Sequence, residues 1–151
     1  MHMRQVLAAV ATVMMAAVLP AAAADAGIVK RLQGNVTLQR AGQPVPVALG
    51  TPVQAGDRIA TGADGAVGLT MADDSLVTLG PSSTLVVSEY RFDSTTNEGG
   101  FIARLIKGTL HLVTGLIAKT QPQNVKVETR NAVMGVRGTE FIVDAREEAT
   151  P

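Results

Sequence analysis

Residues 55–90, AGDRIATGADGAVGLTMADDSLVTLGPSSTLVVSEY, decide the fold. Apolar side chains there fall in short alternating runs, and glycine or aspartate breaks in every eight to twelve residues or so. A helix would need apolar residues three and four apart, and that pattern is nearly missing. Ile59, Val67, Leu69, Met71, Leu76, Leu79, Leu85 and Val87 form the expected core. Gly56, Asp57, Gly62, Gly65, Asp73 and Asp74 mark structural turns, where aspartate caps its own turn and glycine takes a positive φ. The stretch reads as all-β, and its spacing suits a sandwich, a barrel or a solenoid-like stack equally well.

Upstream, Ile28 to Leu32 and Val36 to Arg40 flank Gly34-Asn35, the signature of a hairpin in a meander, and Pro44 and Pro46 confine the next strand to an edge or a bulge. Downstream, Phe101 to Ile106, Thr109 to Thr114, Val125 to Thr129 and Thr139 to Ala145 read as further strands. FDSTTNEGG, residues 92–100, reads as an exposed loop. In TLHLVTG, Leu110 and Leu112 share one face while Thr109, His111 and Val113 share the other. NAVMGVRGTEF, residues 131–141, reads as a tight bend between Gly135 and Gly138, followed by a strand with Thr139, Phe141 and Val143 inward. Arg137 and Glu140 are then either an ion pair across the bend or contacts for a partner.

The N-terminus has a different character. Arg4, the apolar run Val6 to Leu19 and Ala22-Ala23-Ala24 have the order of a secretory signal peptide, expected to be helical and to occupy residues 1–24. Removing 24 of 151 residues leaves 127, residues 25–151, about one domain. Losing Arg4 leaves 12 basic residues against 13 acidic ones, so no net basic field attracts nucleic acid or anionic lipid. With no cysteine, the exported domain has no disulfide, thiol nucleophile, thiolate metal site or lipoprotein anchor, and its core must hold the fold unaided. No later segment resembles a stable membrane span, which makes a periplasmic location the expectation.

Catalytic parts are scarce. His111 is the one histidine left in the mature chain, too few for a multi-histidine zinc site, and no G-x-S-x-G elbow or phosphate-binding glycine loop occurs. Asp57, Asp73 and Asp74 lack the order of a calcium loop. Tyr90 and Phe92 flank Arg91 before the polar loop; the rings are expected to be buried, and if exposed the three would suit a protein partner. Three functional classes remain in view: a protein-binding module, a glycan or small-ligand receptor using Asp93 to Gly100 and the acidic turns, and a carboxylate-dependent hydrolase using Asp57, Asp73 and Asp74. The residues themselves call for no cofactor and no metal.

GVRGTEF, with ETRNAVMG before it, resembles the C-terminal signature of the FecR domain. The blocks Gly34-Asn35-Val36, LGTPVQAGDRIATGADGAVGLTMADDSLVTLGPSSTL and RLIKGTLHL are similar to the rest of that family, in the same order. Where many members have Asp-Gly-Ser, this chain has Asp73-Asp74-Ser75, so keeping the turn requires Asp74 to take a positive φ at modest cost. The regulators that name the family carry a cytoplasmic segment and a membrane helix, where this chain has a cleavable signal. The resemblance implies a single all-β domain of short antiparallel strands, twisted and sandwich-like or solenoid-like. It also implies that the domain contacts another envelope or periplasmic protein in signalling or regulation, with no catalytic residue.

Overall fold

The computed structural model describes residues 24–136 and 138–145. Residues 1–23, where the signal peptide and its helix are expected, Arg137 and residues 146–151 lie outside the described residues. Twelve strands follow in chain order: β1 Asp25–Gln33, β2 Val36–Arg40, β3 Gln43–Val45, β4 Pro52–Gln54, β5 Arg58–Thr61, β6 Ala66–Met71, β7 Leu76–Leu79, β8 Thr84–Phe92, β9 Gly99–Val113, β10 Val125–Glu128, β11 Val133–Gly135 and β12 Glu140–Ala145. A five-residue helix α1, Leu116–Thr120, and a 3-10 turn, Pro122–Asn124, link β9 to β10. No helix among the described residues is long and apolar enough to cross a membrane.

The strands join into one curled sheet in the order β3-β2-β5-β8-β9-β7-β6-β1-β4. Strand β9 is the joint between its halves. Residues 99–107 of β9 pair with β8, whereas residues 110–113 pair with β7 and residues 108–113 with β12. Inward side chains of the two halves interleave in one core: Val29, Leu69, Leu79 and Leu110 from the first meet Ile59, Leu85, Phe101 and Leu105 from the second. The strands alternate as half-buried strands should, with β6 reading AVGLTM and burying Val67, Leu69 and Met71.

The chain changes halves at a row of corners stacked side by side. Asn35 O accepts from Gly62 N at 2.8 Å, Gly62 O accepts from Ser82 N at 3.0 Å, and Thr109 O accepts from Gly80 N at 3.1 Å. Ser83 Oγ receives Thr109 N at 2.9 Å, which ties the third corner to the bend in β9. That bend is Gly108, at φ +93°, where a Cβ would run into Ser83. The glycine ladder of the sequence is therefore a seam along which successive corners touch.

This arrangement corrects several expectations. β1 and β2 do not form a hairpin: β1 pairs with β4 and β6, β2 with β3 and β5. Gly34, at φ +62°, serves close approach, because a Cβ there would strike the Asp64 carbonyl. Leu76 is 46% exposed while Val77 is buried, since the period of two places Val77 and Leu79 on one face and Leu76 on the other. The runs 101–106 and 109–114 belong to one long strand, not two short ones. The β10–β9 pair is parallel, unlike the other pairings, because α1 and the 3-10 turn carry the chain back before β10 begins. Gly135 ends β11 opposite Lys126 and is not a turn residue, and Thr139 is exposed, leaving Val143 buried and Phe141 half-buried.

Gly138 does sit at positive φ, +92°, with open space around its Cβ position. Gly138→Val is expected to cost about 1–3 kcal/mol from backbone strain alone. Lys126→Ala, at an exposed position, should stay within about 0.5 kcal/mol. Urea midpoints of the two variants check the difference.

Candidate functional site

Three places on the molecule gather polar or exposed groups. The first is at the tip of the β8–β9 hairpin. Asp93 Oδ1 accepts from Thr95 N at 2.8 Å and Asp93 O from Asn97 N at 2.8 Å, so the loop is tied to itself. Thr120 Oγ1 donates to Asn97 O at 2.7 Å, which braces the loop from α1. The polar interruption seen in the sequence is thus a held turn over residues 93–98, and Gly99 and Gly100 are buried in β9. Between this loop and the 3-10 turn lies a cavity of about 470 Å³, lined by Arg91, Phe92, Asp93, Glu98, Gln121 and Asn124 among others. A second hollow of about 190 Å³, lined by Glu89, Ile102, Gln123 and Lys126, shares Arg91 and Asn124 with it.

The triplet Tyr90-Arg91-Phe92 is split by strand alternation. Arg91 is exposed, with Glu89 at 3.5 Å, and its guanidinium lies over Gly100, opposite it in β9. Tyr90 and Phe92 are half-buried against the core. The Tyr90 ring packs edge-on against Phe101 at 5.4 Å, and its hydroxyl donates to Asp73 Oδ1 at 2.8 Å while accepting from Asp73 N at 3.0 Å.

Burial, and then the Asp73 charge, raise the Tyr90 pKa far above the ordinary tyrosine value of 10.0. Because the folded value lies above the unfolded one, the stability this contributes is complete below about pH 10 and is lost as pH rises beyond it. Tyr90 is the chain's one tyrosine. Tyrosinate absorbance should therefore appear in a single alkaline step, together with loss of strand circular dichroism; earlier ionisation of a folded protein would contradict the burial described here.

The second place is the outer face of the half-sheet β6-β7-β9-β12. His111 Nε2 and Glu140 Oε1 lie 2.6 Å apart, joining β9 to β12. Ile142, 67% exposed, stands opposite His111, and Leu76 stands opposite Val113 on the same face. Among the described residues β12 pairs with β9 alone. Glu140 thus has His111 as partner; its expected companion Arg137 is outside the described residues.

The aspartates form the third group, and two of them, Asp57 and Asp73, are not solvent-exposed tips. Asp57 is fully buried; it receives Arg40 Nε at 2.9 Å, Arg40 Nη2 at 2.8 Å and Gln54 N at 2.8 Å. Its hydrogen bond raises the Arg40 pKa above the usual guanidinium value. Asp73, also fully buried, receives Ser75 Oγ at 2.8 Å, Ser75 N at 3.3 Å and Ile117 N at 3.2 Å besides Tyr90. Asp74 is exposed at φ +68°, the positive φ its turn requires. Asp57 and Asp73 hold different turns through different partners, and no group of three His, Cys, Asp or Glu among the described residues could hold a metal ion.

Sequence reasoning found the loop but missed Gln121 and Asn124, which line the cavity. LIAKTQPQN carries no chemical motif; its signal was the cluster of amides around Pro122, just where the strand pattern lapses.

A family model described as FecR protein matches residues 57–151. Comparison with curated proteins and with solved structures returned no match.

Proposed function

The chain belongs to the FecR family, matched over residues 57–151, and from that membership we propose that it is a non-catalytic protein-binding module working in envelope signalling or regulation in the periplasm. Family membership carries a regulatory, signalling role in general terms. The partner surface of this chain is the outer face around β12.

One observation carries the reading: an edge strand beside exposed apolar side chains. Ile142 and Leu76 flank the Glu140–His111 pair on one face, and among the described residues no strand pairs with the outer edge of β12, where an added strand could pair. Charge argues for a different protein over a second copy. Antiparallel self-pairing centred on Ile142 would set Glu140 against Asp144 of the other molecule, and like charges directly opposite are destabilising. A partner strand with basic residues at those positions meets no such penalty.

The test is site-specific photo-crosslinking in the native envelope, with the reactive group at Leu76 or Ile142 and, as control, at Leu49 on another surface. A discrete protein adduct from the first two positions and none from Leu49 is expected. Ile142→Glu should remove the adduct formed from Leu76 while changing stability by less than about 0.5 kcal/mol. Adducts of equal yield from all three positions, or none from Leu76 and Ile142, would refute the assignment.

A further inference from the structure

The trough at the β8–β9 tip is built for a ligand of another kind. We propose that it binds a short, uncharged, hydroxyl-rich oligosaccharide, independently of the protein-binding face around β12.

The trough is preorganised. Gln121 Oε1 accepts from Gly99 N at 3.1 Å and from Asn124 Nδ2 at 2.9 Å, and the same Asn124 Nδ2 donates to Gly99 O at 3.0 Å. These bonds fix both amide planes. They leave Gln121 Nε2 as a donor and Asn124 Oδ1 as an acceptor, neither hydrogen-bonded to any described residue, beside the cavity. Asp93 keeps Oδ2 free of hydrogen bonds in the same way, its Oδ1 being used by the loop. Orientations already fixed before binding lose little entropy when a ligand arrives.

The chemistry of the lining selects the ligand class. Arg91 and Lys126 face Glu89, Asp93 and Glu98, so the two joined hollows have no strong net sign and favour neither a polyanion nor a polycation. Apolar contact is limited to Phe92 and Ile102, too little to anchor a lipid or a hydrophobic side chain. Peptide recognition by strand addition is closed along residues 101–104 of β9, which lie between β8 and β10 under the smaller hollow. Mixed donors and acceptors beside one aromatic edge match a sugar, whose hydroxyls both give and accept hydrogen bonds. The larger cavity lies within the roughly 300–1,000 Å³ of small-ligand sites, and the smaller continues it across Arg91.

The experiment follows backbone amide shifts by NMR on the full domain during titration with chitotetraose, with maltotetraose and with polyglutamate. Saturable shifts confined to residues 93–100 and 121–126 with a neutral tetrasaccharide are expected; which of the two binds distinguishes an N-acetylhexosamine chain from a glucan. Glu98→Ala and Arg91→Ala, both at exposed positions, should each weaken binding at least about tenfold without unfolding the protein. Ile142→Glu should leave it unchanged, so loss of the partner surface and loss of the sugar site are read separately. Three results would overturn the proposal: no shift with either sugar at millimolar concentration, salt-sensitive binding of polyglutamate at this trough, or sugar affinity unaltered in both alanine variants.

Discussion

Gly108→Val is expected to lower stability by more than about 4 kcal/mol, enough to leave much of a domain of this size unfolded. Two independent effects add at this position. Its φ of +93° is strained for any side chain and most for a β-branched one. Its Cβ would also run into Ser83, whose Oγ receives Thr109 N and whose neighbour Ser82 bonds Gly62. Ser83 cannot retreat without opening the seam between corners, so the neighbour has no cheap way to yield. Gly108→Ala tests the same joint with a single methyl and should still cost more than about 2 kcal/mol. Urea unfolding followed by circular dichroism measures both. If Gly108→Ala unfolds at the wild-type midpoint, the bend is not where the two halves are joined.

Asp73→Ala is expected to cost about 3 kcal/mol or more. The carboxylate is fully buried and serves four donors: Ser75 N, Ser75 Oγ, Tyr90 Oη and Ile117 N. Removing it strands those groups away from water, and each buried group left without a partner costs about 1–3 kcal/mol. Water entering the small space that is vacated offsets part of this total. Asp73→Asn keeps the shape and some acceptor capacity and should cost less. Tyr90→Phe removes one partner while keeping the ring against Phe101, and should cost about 1 kcal/mol. The order Ala, Asn, then Phe in decreasing damage, read from urea midpoints at constant slope, checks the network. Equal midpoints for Asp73→Ala and Tyr90→Phe would mean that the turn and α1 do not depend on this carboxylate.

Much of the fold was legible because alternation is a local property. Val67, Leu69 and Met71 announce their buried face through nothing but a period of two, and the same period separated Leu110 and Leu112, which are buried, from His111 on the opposite face. Leu76 was misread because apolar character alone does not set phase; Val77 and Leu79 claim the inner face, and the period leaves Leu76 outside. Pairing partners were not legible. Gly34-Asn35 has hairpin chemistry, yet it meets Asp64, 30 residues along the chain, because the sheet curls and corners stack across sequence distance. The aspartates show the same limit: their turns were visible in the sequence, but Arg40 reaches Asp57 and Tyr90 reaches Asp73 through tertiary contact alone. In the candidate site, the loop at Asp93 to Glu98 could be seen, whereas the amides of Gln121 and Asn124 matter only once the 3-10 turn is brought against it.

Because β9 supplies the centre of both half-sheets, neither half can close on a nascent chain that stops short of Val113. The pairs that join the halves, β7 with β9 and β12 with β9, then wait on loop closures spanning tens of residues, the condition that slows folding. A polypeptide of this kind emerges late as a compact body and stays threadable for most of its passage through a narrow pore. The architecture therefore suits a protein that must travel extended and assemble only after its middle has arrived.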